Sequence, residues 1–341
     1  YKVEKPVITP LEVNRENKSA YFKEFSKLEG KSIAPTFADF EKEILTQKLA
    51  SGVELDYLKN KVNPTFQLNY ILDIGKSHDK LLPLAVEYLE FLGTDKYTAE
   101  ELKKEFFKLG LSFSVFSGDK ESYVTLRGLD ESFEEGVKLF EHILANAKPN
   151  EEALKKMIEK ELKSREDNKS DKGTILRRGM FNYAKHGQLS PFTDILTATE
   201  LRRLTGVQLV DLVKGMCSYE HRVFYYGQNS SSAVAKIINT NHKVPAKLKP
   251  TPAEKKYPEL AQENNRVYFL DFPIVQAEVL MMSKGTDEFN TEERVMSELY
   301  NNYFGFGLSS IVFQEIRESK ALAYSTYAYY SSPNAQDEAH Y

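Results

Sequence analysis

Between residues 66 and 144 the hydrophobic period of the chain switches from two to about 3.6, back to two, and then to 3.6 again. No other feature limits the fold as tightly. The run F-Q-L-N-Y-I-L-D-I at 66–74 alternates apolar and polar side chains, as a strand with one buried face does. Leu81, Leu84, Ala85, Tyr88 and Phe91 then recur at helical spacing, which predicts a helix over 79–91 with Gly93 as its C-cap. Thr98 and Glu101 form a capping box that opens a second helix on Leu102, Phe106 and Leu109. L-S-F-S-V-F and Y-V-T-L-R-G-L return to period two across S-G-D-K, a hairpin. Upstream, E-I-L-T-Q-K-L-A and V-E-L-D-Y-L-K flank Ser51-Gly52 in another hairpin. Asp130 is expected to cap a helix carrying Phe133, Val137, Phe140 and Leu144. Asn150 caps one carrying Leu154, Met157, Ile158 and Leu162. More helix is expected across 171–184 and 198–215, and R-V-F-Y-Y-G closes the unit as a strand.

The same plan starts again further on. R-V-Y-F-L-D-F and A-E-V-L-M-M-S read as strands, followed by Gly285, a helix from Thr291 to about Tyr303, a helix over 309–319 and a Tyr-rich strand, Y-S-T-Y-A-Y-Y. Hairpin strands followed by helices, twice, predict an α+β architecture of two units with mainly antiparallel sheets. The expected organisation is a connector with one short helix over 1–45, a first domain over 46–235 and a linker over 236–264. A second domain over 265–341 has only about 80 residues and reads as incomplete. Pro245, Pro250, Pro252 and Pro258 mark the linker. The chain opens on Tyr1 without Met, as a processed or excised piece would.

Composition narrows the function. With a net charge of −4 and no basic run, the chain lacks an electrostatic footprint for nucleic acid. No stretch of about 18 apolar residues is present to span a membrane. Cys217, in G-M-C-S-Y, is the one cysteine; it excludes an internal disulfide and a thiolate zinc site, and it reads as a small hydrophobe at a helix end. The six histidines (His78, His142, His186, His221, His242 and His340) lie singly, and none pairs at i,i+4.

Residues 84–94, L-A-V-E-Y-L-E-F-L-G-T, resemble the active-site helix of the pitrilysin and insulin-degrading-enzyme family of inverted-zincin metallopeptidases. In that family an H-x-x-E-H helix supplies two zinc ligands and a general-base Glu, and a distal Glu completes the site. The spacing has a physical reason: i and i+4 share one helix face, so both imidazoles reach one metal. Here Leu84 falls on the first His, Glu87 on the base and Tyr88 on the second His. Glu161, before Leu162 and 73 residues beyond Tyr88, falls on the distal Glu. Leu84 has no donor atom, and a phenol titrating near 10 is a poor zinc ligand at neutral pH. The expectation is a degenerate helix that binds no zinc and hydrolyses nothing.

The stretch G-L-S-S-I-V-F-Q-E-I-R-E-S-K-A-L-A-Y-S at 307–325 resembles the family more closely. In tandem-fused members this stretch supplies an Arg and, seven residues on, a Tyr, which reach the active site of the other half; Arg317 and Tyr324 stand at that separation. The resemblance covers roughly residues 46–341 and implies two metallopeptidase-like (processing-peptidase-like) α/β sandwich units, the second incomplete. It further implies the inactive C-terminal half of a zinc metalloendopeptidase that walls a peptide chamber. Arg317 and Tyr324 would bind substrate in trans. The partner would be a catalytic half, fused upstream or separate, that holds Zn2+, and the substrate would be a peptide. The alternative is a non-peptidase scaffold or peptide-binding subunit of a larger complex. Cysteine usage fits a cytoplasmic or a bacterial envelope location equally.

Overall fold

Gly52 adopts φ +87°, a conformation L side chains rarely take, and so turns β1 (Leu45–Lys48) back antiparallel onto β2 (Glu54–Lys59). β3 (Thr65–Leu72), β4 (Leu111–Ser117), β5 (Ser122–Leu129) and β6 (Arg222–Gly227) complete one six-stranded sheet in the order β1-β2-β6-β3-β5-β4. Every neighbour pair is antiparallel except β2 and β6. The computed structural model describes residues 18–30, 32–35, 37, 39–285, 291–331 and 339–341. The chain divides into two units, Tyr1–Glu43 and Ile44–Tyr341. The first contains the helix Ala20–Phe25, capped by Ser19, and the short turn Phe40–Glu43. The sheet belongs to the second.

Strand register separates two faces. Leu55, Tyr57, Phe66, Leu68, Leu126, Val223 and Tyr225 are buried on one face. They share a core with Ala85 and Tyr88 of the helix Leu82–Tyr88, Val137 and Phe140 of Phe133–Asn146, Leu209 and Val213 of Gly206–Met216, and Val234 and Ile238 of Ser231–Asn241. The other face carries Gln67 beside Tyr226, Asn69 beside Phe224 and Thr125, and Tyr123 beside Phe116. Thr125 and Gln67 both donate to the Asn69 side-chain oxygen, at 2.7 and 3.2 Å. The sheet is therefore packed on one side and polar-aromatic on the other, as the alternation requires.

Several expectations are corrected by tertiary contacts. The helix closed by Gly93 ends instead on a single turn, Leu89–Phe91, with Leu92 as C-cap. Gly93 is needed because a Cβ there would meet the Tyr97 carbonyl oxygen at 2.7 Å. Asp130 does not cap the Phe133–Asn146 helix. Its carboxylate accepts from the Tyr225 hydroxyl at 2.7 Å, the Gln228 amide at 2.8 Å and the Asn229 side chain at 2.9 Å. The residues 198–215 form two helices, Ala198–Arg203 and Gly206–Met216, because Thr197/Glu200 and Thr205/Gln208 each build a capping box. The interval 236–264 expected as a linker opens inside the helix Ser231–Asn241, whose Val234 and Ile238 enter the core.

The expected second sheet is not found among the described residues, which hold one sheet. R-V-Y-F-L-D-F, A-E-V-L-M-M-S and Y-S-T-Y-A-Y-Y have strand composition but form no ladder. A strand exists only where a neighbour pairs with its backbone in a repeating ladder, and the long bond from the Ala328 amide to the Gly305 carbonyl, at 3.4 Å, does not make one. The Tyr-rich segment is held another way. The Asn301 side chain accepts from the Tyr330 amide at 2.6 Å and donates to the Tyr330 carbonyl at 3.0 Å, an amide standing in for a strand neighbour. Gly305 allows the approach, since a Cβ there would lie 1.6 Å from the Ala328 carbonyl oxygen. Asn301 and Gly305 belong to the helix Thr291–Phe304 and the turn after it.

Candidate functional site

The helix Leu82–Tyr88 starts on Pro83 and buries Leu82, Ala85, Val86 and Tyr88. Leu84 is half-buried against the core, and Glu87 faces solvent 4.0 Å from the Lys160 ammonium. Tyr88 is fully buried. Its hydroxyl accepts from the Asn150 amide at 2.6 Å, at the N-terminus of the helix Glu151–Asn168. Burial raises the Tyr88 pKa, with Glu151 adding to the effect and the Asn150 bond opposing it. The Glu151 carboxylate accepts from the Gly206 amide at 2.8 Å, and a Cβ at Gly206 would lie 2.7 Å from the Tyr88 oxygen. Glycine at 206 thus makes room for the phenol.

Glu161 is on the same helix as Asn150 but three turns further along, about 16 Å at 1.5 Å per residue. It accepts from the Arg165 guanidinium at 2.6 Å, and Arg165 also donates to the Leu196 carbonyl. Lys160, the neighbour of Glu161, reaches Glu87 at 4.0 Å, so the two helices meet here, but the four positions do not make a ligand set. Leu84 offers no donor, Tyr88 is a neutral phenol engaged with a backbone amide, and Glu161 is ion-paired elsewhere. These residues do not fit zinc, which needs three protein ligands around one point. Among the described residues no group of three or more His, Cys, Asp and Glu is arranged to hold a metal.

Arg317 lies on a π-helical turn, Phe313–Ser319, a widened geometry frequent at functional sites. Its guanidinium stacks on two rings, 4.6 Å from the Phe313 centroid and 4.5 Å from that of Tyr324, and approaches Glu318 at 3.4 Å. Tyr324 is 84% exposed. The structure thus brings the two residues together across seven positions. Phe313, at i,i+4 from Arg317 on the same helical segment, completes the sandwich.

Two groupings escape sequence reasoning altogether. His221 and His242, single in the sequence, are in direct contact with Nε2 atoms 2.8 Å apart. Asp194 is 10% exposed and accepts from Lys80 at 3.1 Å, Tyr257 at 2.7 Å and Lys255, which hold its carboxyl well below the usual carboxylate range. Neither grouping has a local motif, because its members come from separate elements. Cys217 lies beside the first, and burial pushes its thiol up to about 12, so it is inert.

The geometry describes an α+β fold in which helices cover one face of an open, mostly antiparallel sheet. Residues 222–338 match the family described as Peptidase M16 inactive domain. The chain is 24% identical over 293 residues to an uncharacterized zinc protease of Rickettsia felis, across 84% of this chain and 69% of that protein. The crystal structure of a peptidase M16 inactive domain from Pseudomonas fluorescens shares the fold at TM-score 0.65 and 19% identity, covering 85% of this chain and 71% of that one. The periplasmic protease PqqL from Escherichia coli also shares it, at TM-score 0.65 and 13% identity, over 100% of this chain and 37% of that one. These likenesses support the inactive half of a pitrilysin-type peptidase: residues 222–338 match the peptidase M16 inactive domain, and the longer chain is similar to zinc-protease-like proteins.

Proposed function

We propose that this chain is the non-catalytic half of a zinc metalloendopeptidase and walls the chamber in which a catalytic half, fused or separate, cleaves peptides. In this reading the zinc sits entirely in the partner, and Arg317 and Tyr324 are lent to its substrate. The carrying observation is the contrast between two places. The zinc positions are filled by Leu84 and by a buried, hydrogen-bonded Tyr88, whereas Arg317 is stacked between Phe313 and an exposed Tyr324. The stacking fixes a guanidinium that otherwise has many rotamers, and preorganised donors bind with less entropic loss. The guanidinium can pair with a substrate carboxylate or donate to a peptide carbonyl, and the phenol can donate to the oxyanion of a tetrahedral intermediate. The open sheet face, with Gln67, Asn69, Tyr123 and Tyr226, offers amide and phenol groups that suit a peptide-lined wall.

The test combines this chain with a catalytic half carrying an intact H-x-x-E-H and follows peptide cleavage. The chain is expected to raise cleavage, and Arg317→Ala and Tyr324→Phe each to lower kcat/KM at least tenfold, about 1.4 kcal/mol, with an unchanged thermal midpoint. Unchanged kcat/KM in both variants would remove the role in trans. No cleavage in any combination, together with co-purification in a non-peptidase complex, would favour the scaffold reading.

A further inference from the structure

The contact between His221 and His242 belongs to a buried chain of hydrogen bonds that the peptidase reading does not use. His221 precedes β6, and His242 caps the helix Ser231–Asn241 and opens the stretch that follows it. His221 Nδ1 lies 2.7 Å from the Tyr219 carbonyl oxygen. His242 Nδ1 lies 2.8 Å from Glu141 Oε1, and the Tyr70 hydroxyl donates to that same oxygen at 2.8 Å. His242 is 4% exposed and Tyr70 likewise 4%.

Donor counting fixes the protons. A carbonyl only accepts, so His221 Nδ1 carries a hydrogen, and the Nε2 of neutral His221 is an acceptor. His242 Nε2 must then donate to it. One further proton lies between His242 Nδ1 and Glu141, so a single shared positive charge is balanced by one carboxylate. A proton added to His221 Nε2 would set two N–H groups against each other at 2.8 Å in a dry site. The titratable groups facing the pair are Glu141 from the helix Phe133–Asn146, Tyr70 from β3 and Cys217 from the end of Gly206–Met216. Burial, with the neighbouring His242 ring adding to it, already holds His221 below its ordinary value.

The contact also has a mechanical consequence. Tyr219, which His221 anchors, sits where the chain after His242 returns to the sheet. The Lys249 amide donates to the Ser218 carbonyl at 2.8 Å, the Glu220 amide donates to the Lys249 carbonyl at 2.7 Å, and the Lys249 ammonium lies 5.4 Å above the Tyr219 ring. Both imidazoles border a small, mainly apolar cavity of about 50 Å³ lined also by Tyr70, Met216 and Cys217.

We propose that the His221–His242–Glu141 chain is an acid-opened latch that holds residues 243–249 against the turn Ser218–Glu220 ahead of β6 while His221 is neutral and releases them when it is protonated. The sign follows from linkage. A histidine kept neutral by the fold binds fewer protons than the unfolded chain, so its contribution is complete above the ordinary value of about 6.5 and is lost as pH falls below it.

The experiment uses the full chain with 15N-labelled histidines, titrated from pH 8 to 5, with amide exchange followed in parallel. At pH 8 the 15N shifts should show His221 protonated only at Nδ1. On acidification, protonation of its Nε2 should coincide with an at least tenfold loss of protection at the Lys249 and Glu220 amides, while the Tyr225 amide in β6 keeps its protection. His221→Gln should abolish this pH step. Independent titration of both rings near the ordinary histidine value with no change in exchange would overturn the latch, as would a step that survives in His221→Gln. If that variant does not fold, the wild-type shifts and exchange decide alone.

Discussion

R-V-F-Y-Y-G at 222–227 and R-V-Y-F-L-D-F at 266–272 open on the same two residues and have nearly the same aromatic content. The first is β6, the centre of the sheet, with Val223 and Tyr225 fully buried. The second forms no ladder among the described residues, and its Val267 and Phe269 are 93% and 86% exposed. Composition cannot separate the two. β6 has β2 on one side and β3 on the other, and the helices Phe133–Asn146 and Ser231–Asn241 cover its buried face. The lesson is that strand propensity is permission to pair, and burial against neighbours is what makes it structure.

A third stretch sharpens this contrast. Residues 249–260 have no regular structure, yet side chains pin them. Lys255 and Tyr257 reach Asp194, the Lys255 amide donates to the Ser77 carbonyl at 2.8 Å, and Glu259 pairs with Lys185 at 3.0 Å and Lys284 at 2.9 Å. A proline-rich segment can therefore be fixed without a ladder if charged anchors are supplied at both ends.

The largest expected effect comes from breaking the comparison directly. Tyr225→Ala removes a buried ring stacked on Tyr57 and Phe66 and a hydroxyl bound to Asp130, and should cost about 3–5 kcal/mol in urea denaturation. The counterpart Phe269→Ala should change stability by less than about 0.5 kcal/mol. Equal effects would mean that the second segment is packed after all. Next in size is Asp194→Asn, expected to cost about 2 kcal/mol near neutral pH because charge-assisted bonds are lost. Asp194 is held below its ordinary value, so its contribution is complete above pH 4 and lost as pH falls further. The variant should therefore show a weaker decline in stability on acidification, measured by denaturant midpoints at pH 7, 4 and 3. Tyr88→Phe leaves the Asn150 amide without an acceptor in the core, for an expected cost of about 1–2 kcal/mol. Tyr88→His, which restores half of the family motif, should still leave zinc well below one equivalent after dialysis, since Leu84 gives no ligand and Glu161 is engaged by Arg165.

Much of the fold was legible in the sequence. The hairpin at Ser51-Gly52, the strands at 65–72, 111–117 and 122–129, the Thr98/Glu101 capping box and the apolar faces of the helices all depend on residues a few positions apart. Local chemistry of that kind is written in order along the chain. That Leu84 can give no zinc ligand is legible too, because its side chain has no lone pair whatever surrounds it. The pairing of Arg317 with Tyr324 could be read as a spacing but not as a stack, because Tyr324 lies beyond the end of the helical segment and only the path of the chain after Ser319 brings its ring onto the guanidinium.

What only the tertiary structure decided are the contacts between distant positions. Helical spacing already placed Tyr88 on an apolar face; that its hydroxyl meets the Asn150 amide in room left by Gly206 was decided by the tertiary structure. His221 and His242 look unrelated at a separation of 21 residues, until the sheet and the helix Ser231–Asn241 set their rings edge to face. Asp130 has the sequence of a helix cap and the structure of an anchor for β6. In each case the side chain is chosen locally, but its partner is delivered by packing, and a donor or acceptor taken out of water is committed to whichever partner arrives.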